Sequence, residues 1–361
     1  MPGSRDIALI SLGTTPGLRR ADDAFASAAE VAGVSCELIR VRIGAAGKLR
    51  RQITATDLVE AVAARRAAQA ADARVIVYST VTAALLQRPR LPYAIRFDSP
   101  AALNRPGVAG AWQRRAEIRA MRGATALLPW GEAAAAAIPS EAASTRVVPL
   151  HVPVDVARTR TSGPADLDPP RIARAADRDS SLGIDALAYA GYPEKRGLDL
   201  LMQAWSAVGE GRRLIVAGIG RERAEEWLRG RGIAVPAGVE WRGLLERGEW
   251  EATLACARIF VNASRREDHG LSQLEALAAG CMLVTVPSAG PYEALPIARR
   301  LDSEFVTGEF APGALATALG AALRTDGSDY AARAQRELAP YGRDSVQRVF
   351  EQEVLPALGI R

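Results

Sequence analysis

Glu267-Asp-His-Gly270-Leu-Ser-Gln-Leu-Glu275-Ala-Leu-Ala-Ala-Gly280 sets two carboxylates around a glycine at the mouth of an expected helix. Apolar, strand-like runs precede it (Ala257–Asn262) and follow it (Cys281–Val286). Strand, loop, helix and strand in that order make the repeating unit of a parallel, doubly wound sheet, and the loop is where such units bind ligands. A helix N-terminus attracts phosphate, and carboxylates accept hydrogen bonds from sugar hydroxyls. The segment therefore suits a ligand in which a sugar is joined to phosphate.

The same alternation runs outward in both directions. Upstream, strands are expected at Ala186–Ala190, Arg213–Ala217 and Val239–Trp241, with helices at Leu198–Val208, Glu222–Gly230 and Glu249–Cys256. Downstream, helices are expected near Pro312–Arg324, Tyr330–Glu337 and Ser345–Leu355. The first half repeats the pattern, with strands at Ile7–Leu12, Cys36–Val41, Arg74–Tyr78, Tyr93–Phe97, Ala124–Leu128 and Arg146–Val148. Its helices are expected at Asp22–Ala32, Thr56–Ala71, Ala109–Met121 and Glu132–Ala137. Between the halves, residues 156–183 are polar and Pro-rich, as a linker would be. The expected fold class is α/β, with two doubly wound Rossmann-like domains facing a cleft. The first domain spans 1–155 and the second 184–340, and the helix at about 341–361 is expected to pack back on the first.

With 361 residues, 48% of them hydrophobic, the chain is long enough for two cores. No leader peptide and no run of the roughly 20 apolar residues needed to span a membrane are apparent. Cys36, Cys256 and Cys281 are scattered and lack metal-type spacing, which fits buried thiols in a reducing cytoplasm. The net charge of +5 is uneven, at +7 over residues 1–155 and −2 over the remainder. That basic half could face an anionic acceptor or a membrane surface, or reflect only a solvated, Arg-rich face. Few aromatics and no nucleic-acid motif argue against nucleic acid. Asp166-Leu-Asp168 does not follow a strand, so no metal is expected there.

Only two of the 46 basic residues are lysines, Lys48 and Lys195. Lys195-Arg196-Gly197 follows a strand and opens a helix, where the dipole disfavours cations unless an anion binds nearby. Gly13-Thr-Thr-Pro-Gly17 and Gly218-Ile-Gly220 are glycine turns after strands, and each also reads as an ordinary turn. The first is not a dinucleotide fingerprint.

Taken together, these residues resemble glycosyltransferase family 4, a GT-B-fold group of nucleotide-sugar enzymes. Glu267 and Glu275 match its E-x7-E signature, and Lys195-Arg196-Gly197-Leu-Asp-Leu-Leu is similar to its K-G-x-D-x-L run. Gly218-Ile-Gly220 matches its G-x-G turn, and Val239-Glu-Trp-Arg-Gly243 its strand beside the nucleobase. The likeness is close over 186–290 and only in outline before that.

The resemblance implies a retaining, metal-independent transferase that moves a sugar from a nucleotide diphosphate sugar to an unknown hydroxyl, with no cofactor. Glu267 would contact the donor sugar, Glu275 the ribose, and Lys195 with Arg196 the diphosphate. Amides at Gly270, Leu271 and Ser272 would help, and Ser264 holds the usual serine position. Gly243 would lie beside the base, His269 between the glutamates, and Gly13 on the acceptor side. Gly191 is followed by Tyr192 where many members have Gly-Arg. Ile95-Arg96-Phe97-Asp98-Ser99 occupies the region of the family's catalytic His, so Asp98 or Arg96 would serve instead. A lipid-linked or anionic acceptor and a site at the inner face of the membrane are compatible with the basic half. The rival readings are a GT-B relative such as a nucleotide-sugar epimerase, and a non-catalytic nucleotide-sugar-binding or partner subunit.

Overall fold

The computed structural model describes residues 4–41, 53–87, 90–155 and 183–360. The chain divides into two compact units, Met1–Pro153 with Pro340–Arg361, and Val154–Ala339.

In the first unit, β1 (Arg5–Ser11), β2 (Cys36–Arg40), β3 (Ala73–Tyr78), β4 (Tyr93–Phe97) and β5 (Ala126–Pro129) form a parallel sheet. The order is β2-β1-β3-β4-β5. Both faces of a parallel sheet are covered, so its strands read as continuous apolar runs. Successive side chains of β1 divide between the two cores. Ile7 and Leu9 join Phe25, Val75 and Val77, while Ile10 joins Ala61, Ile76, Tyr78 and Phe97. The Ile7 core is completed by Val346, Phe350, Val354, Leu355, Leu358 and Ile360 from the end of the chain. Phe350 meets Phe25 edge to face, with ring centroids 5.1 Å apart.

In the second unit, β6 (Ile184–Tyr189), β7 (Leu214–Ala217), β8 (Val239–Gly243), β9 (Ala257–Asn262) and β10 (Met282–Thr285) form a parallel sheet of order β10-β9-β6-β7-β8. From β6 the chain moves outward through β7 and β8, then crosses back to place β9 on the other side of β6. The β6/β9 pair is therefore the point where strand order reverses. Loops leaving the C-terminal ends of such a pair diverge and open a crevice for ligand.

Several elements differ from the sequence reading. The first helix begins at Pro16 rather than Asp22, because Thr15 caps it by accepting from the Leu18 amide and Pro16 takes the first turn. The expected strand Arg146–Val148 reduces to a single bridge between Val147 and Leu127. The helix Ala294–Leu301 was not expected, since Pro296 masks it. Proline is tolerated there because first-turn N–H groups have no intrahelical acceptor. The expected linker, apart from Gly183, lies outside the described residues, as do Asp166-Leu-Asp168 and Lys48.

Candidate functional site

The loop after β6 turns tightly, with Arg196 N–H donating to Tyr192 O (2.8 Å) and Leu198 N–H to Pro193 O (2.9 Å). Gly197 then starts the helix Leu198–Val208 with φ +62°. A Cβ at Gly197 would overlap the Ala263 carbonyl at the end of β9. This close approach lets the two switch-point loops join, and Arg265 N–H donates to Lys195 O at 2.9 Å. A third loop, after β10, is stitched on by Glu267 N–H to Ala289 O at 2.9 Å and Ala289 N–H to Arg265 O at 3.2 Å. Beneath them, buried side chains fix the backbone. The Asn262 amide donates to Thr285 Oγ1 (3.0 Å) and Ser288 Oγ (3.2 Å), and Ser288 Oγ–H donates to Ser264 O (2.7 Å).

On this frame the structure brings Lys195, Arg196, Ser264, Glu267 and Gly270 together. The Glu267 carboxylate is 4% exposed and accepts from the Arg196 guanidinium and from Gln273 Nε2 (2.8 Å). Arg196 also reaches Ser264 Oγ at 3.4 Å and lies 5.3 Å from the Tyr189 ring centroid. Arg196 is thus committed to Glu267, with its side chain 18% exposed against 39% for Lys195. Lys195 is the accessible cation of the pair. Its Nζ donates to Asp268 Oδ2 at 2.7 Å, and Arg266 Nε donates to Asp268 Oδ1 at 3.1 Å. Burial works against charge on Asp268, but Lys195 and Arg266 outweigh it and hold this carboxyl below the usual carboxylate range.

Gly270 has φ +85° and opens the helix Leu271–Ala278 with no side-chain cap. A Cβ there would lie 2.6 Å from Tyr292 Cε2. First-turn amides, here those of Leu271 and Ser272, have no intrahelical acceptor and suit an anion. His269 is buried, and its carbonyl accepts from Glu293 N–H at 3.0 Å.

Glu275, farther along this helix, receives Arg247 Nη1 (2.7 Å) on Oε1 and Trp250 Nε1–H (2.8 Å) on Oε2. Gly243 ends β8, where its carbonyl accepts the Gly218 amide and its own N–H donates to Ile219 O at 3.2 Å.

Gly13 (φ +54°) and Asp98 belong to the first unit, following β1 and β4 respectively. Arg96, the other candidate there, is packed inside. It is 1% exposed, its Nη1 lies 3.8 Å from Asp22 Oδ1, and its guanidinium sits 4.9 Å from the Trp130 ring centroid. Burial pushes the Asp22 carboxyl up to about 6 and the Arg96 guanidinium down to about 10. Arg96 therefore stiffens the interior and offers no surface to a ligand.

Asp268, Arg266, Gln273, Arg247 and Trp250 escaped the sequence reading. Gln273 left a signal, being a polar residue four before Leu277 on the buried face of the helix. Arg247 and Glu275 are 28 residues apart, and no spacing rule connects them.

Comparison with known proteins bears on the family and the fold. Residues 185–325 match the family described as Glycosyl transferases group 1. No curated protein matches the chain. Among solved structures, Anabaena HepE in complex with UDP-glucose is 13% identical, with a TM-score of 0.68 over 99% of each chain. Sucrose-phosphate synthase of Thermosynechococcus elongatus is 17% identical, with a TM-score of 0.69 over 98% of this chain and 99% of its own. WaaG, a glycosyltransferase involved in lipopolysaccharide biosynthesis, is 15% identical, with a TM-score of 0.65 over 95% of this chain and 99% of its own. At these identities the likeness is one of fold, and the fold is GT-B, as the resemblance implied.

Proposed function

We propose that this chain, a group 1 glycosyltransferase, moves a sugar from a nucleoside diphosphate donor to an acceptor hydroxyl with retention at the anomeric carbon. The observation that carries the reading is the grouping of Lys195 and the Gly270 helix start beside the buried Glu267 carboxylate. Breaking the sugar–diphosphate bond puts negative charge on the leaving oxygen. Lys195 and the amides of Leu271 and Ser272 are aimed where an anion of that kind would collect. Glu267, held by Arg196 and Gln273, would accept hydrogen bonds from the sugar hydroxyls, and Glu275 from the ribose. Gly243 and Ser264 would complete the donor side, with Gly13 and Asp98 serving the reaction from the first unit. The leaving group would be neutralised by Lys195 and the helix dipole without a metal ion. The UDP-glucose complex of Anabaena HepE supports a nucleotide-sugar donor.

Calorimetry with a panel of UDP-, GDP- and ADP-sugars is the direct test. If none of them binds at millimolar concentration, the reading fails. Lys195→Ala should weaken binding of the nucleoside diphosphate about 10–100-fold and of the nucleoside hardly at all, as loss of one charge-assisted contact requires. Equal losses would remove Lys195 from the diphosphate.

The acceptor is proposed to be carried on an anionic lipid surface. Between Ser99 and Gly131 the only carboxylate is Glu117. It is buried, accepts from the Ala101 amide at 2.7 Å, and is pushed up to about 7 by burial. Arg115, Arg119 and Arg122 are exposed along one side of the helix Ala111–Gly123, with Ile118 between them, and line a shallow groove. Each cation near an anionic membrane contributes about 1 kcal/mol. Replacing all three with Ser should therefore cut binding to phosphatidylglycerol vesicles roughly 100-fold at low salt. Equal binding to neutral phosphatidylcholine vesicles, or an unaffected triple variant, would refute a lipid surface as partner. Among the described residues no helix is long and apolar enough to cross a membrane.

A further inference from the structure

Asp268 sits where three attractions for an anion converge. Lys195 Nζ donates to one of its oxygens at 2.7 Å and Arg266 Nε to the other at 3.1 Å. It also lies three residues before Leu271, the first residue of the helix Leu271–Ala278, at the positive end of the helix dipole. Lys195 and that helix start are the features assigned above to the donor's diphosphate. The neighbouring acidic groups are engaged elsewhere. Glu267 is held by Arg196 and Gln273, and Asp199 by Arg265 through contacts of 3.0 and 2.6 Å. Asp268 is the carboxylate placed on the accessible cation itself, and its own side chain is 21% exposed.

A carboxylate and a diphosphate both drawn to one ammonium repel each other across a short gap, and in a half-buried site that repulsion is several-fold stronger than in water. Binding the donor then means prising Lys195 from Asp268. After the sugar has left, Asp268 can retake Lys195 and weaken the hold on the product. We propose that Asp268 is a built-in rival of the diphosphate for Lys195, setting donor affinity and hastening departure of the nucleoside diphosphate. The proposal rests on the reading of Lys195 as a diphosphate contact. A purely orienting role for Asp268 makes the opposite demand, because freeing Lys195 to wander would weaken diphosphate binding.

The test is Asp268→Asn, which keeps the shape and removes the charge. Lys195 is accessible enough for water to solvate it in the variant, and the amide oxygen can still accept from Arg266 Nε. Calorimetry would use inorganic pyrophosphate, UDP, GDP and ADP, with the matching nucleosides as controls. Rivalry predicts that pyrophosphate and the cognate diphosphate bind about tenfold tighter or better in Asp268→Asn. Nucleoside binding should stay unchanged, and product inhibition by the diphosphate should tighten by the same factor. Asp268→Glu, which keeps the charge, should bind as the parent does. In a Lys195→Ala background the gain should shrink to what direct repulsion by the Asp268 charge alone supplies. Weaker or unchanged diphosphate binding in Asp268→Asn overturns the proposal, as does a gain that is just as large without Lys195. A parent protein that binds none of the diphosphates overturns the donor reading along with it, whereas a parent that binds them no less tightly than Asp268→Asn overturns the rivalry alone.

Discussion

Glu267→Gln is expected to leave the second unit folded while lowering sugar transfer by about 10²–10³-fold. The fold survives because the new amide can satisfy both neighbours. Its carbonyl oxygen accepts from Arg196, and its NH₂ can donate to Gln273 Oε1 once that amide turns over. Gln273 Oε1 is buried and has no hydrogen-bond partner among the described residues, so it is available. What the variant loses is charge. A neutral amide accepts weaker hydrogen bonds from sugar hydroxyls and offers less to a sugar carbon that turns positive as the diphosphate leaves. Glu267→Ala separates the two contributions. It strands the Arg196 guanidinium in a mostly buried place and should cost about 3–5 kcal/mol in stability besides activity. Initial rates and urea midpoints, measured on both variants, check the pair. Full activity in Glu267→Gln would remove the carboxylate from the chemistry, and equal destabilisation by Gln and Ala would mean that a neutral amide cannot hold Arg196 and that the contact depends on charge.

Gly197→Ala should be among the most damaging single-methyl changes in the second unit. At φ +62° an L-residue costs about 1–2 kcal/mol by itself. The added methyl would also press on the Ala263 carbonyl, which is backbone and cannot swing aside. Together these should exceed roughly 3 kcal/mol. Gly211 supplies the control, with φ +69° and nothing within 4 Å of a Cβ built there. Gly211→Ala should pay only the backbone strain, about 1–2 kcal/mol. Because Gly197 is where the Lys195 loop meets the end of β9, its variant should also lose diphosphate affinity, which Gly211→Ala should keep. Thermal midpoints and pyrophosphate titrations read both effects. Similar losses in the two variants would show that the close approach to Ala263 is unimportant.

The fold was legible because parallel strands buried on both faces are short apolar runs, and helices between them carry their own punctuation. Where punctuation was hidden, the reading slipped. Thr15-Pro16 is a strong helix start that the run at Asp22 overshadowed, and Pro296 concealed a helix it merely opens. In the site, residues within one loop or one helix were readable, because their spacing fixes their geometry. Lys195, Glu267 and Gly270 fall in that class, and the loops that carry them leave the two strands at the reversal of sheet order. The pairings between loops were not readable. Nothing at position 268 says that its carboxylate will meet Lys195, since that contact depends on β6 and β9 being neighbours. Arg96 failed in the opposite sense. Its segment, in the region of the family's catalytic His, suggested chemistry, but the side chain is buried against Asp22 and Trp130.

The closing segment of the chain has a consequence for biosynthesis. Val346, Phe350, Val354 and Leu358 fill the same core as Ile7, Leu9 and Phe25, and the Gln347 amide donates to Ala28 O at 3.1 Å. During translation the first 153 residues emerge with part of one sheet face, beside the helix that carries Phe25, uncovered, and it stays so until residue 360 has been made. The second unit, continuous between 154 and 339, can fold in that interval. The half that is made first is therefore finished last, and an apolar face that spends the whole of synthesis exposed is where a chaperone would be needed.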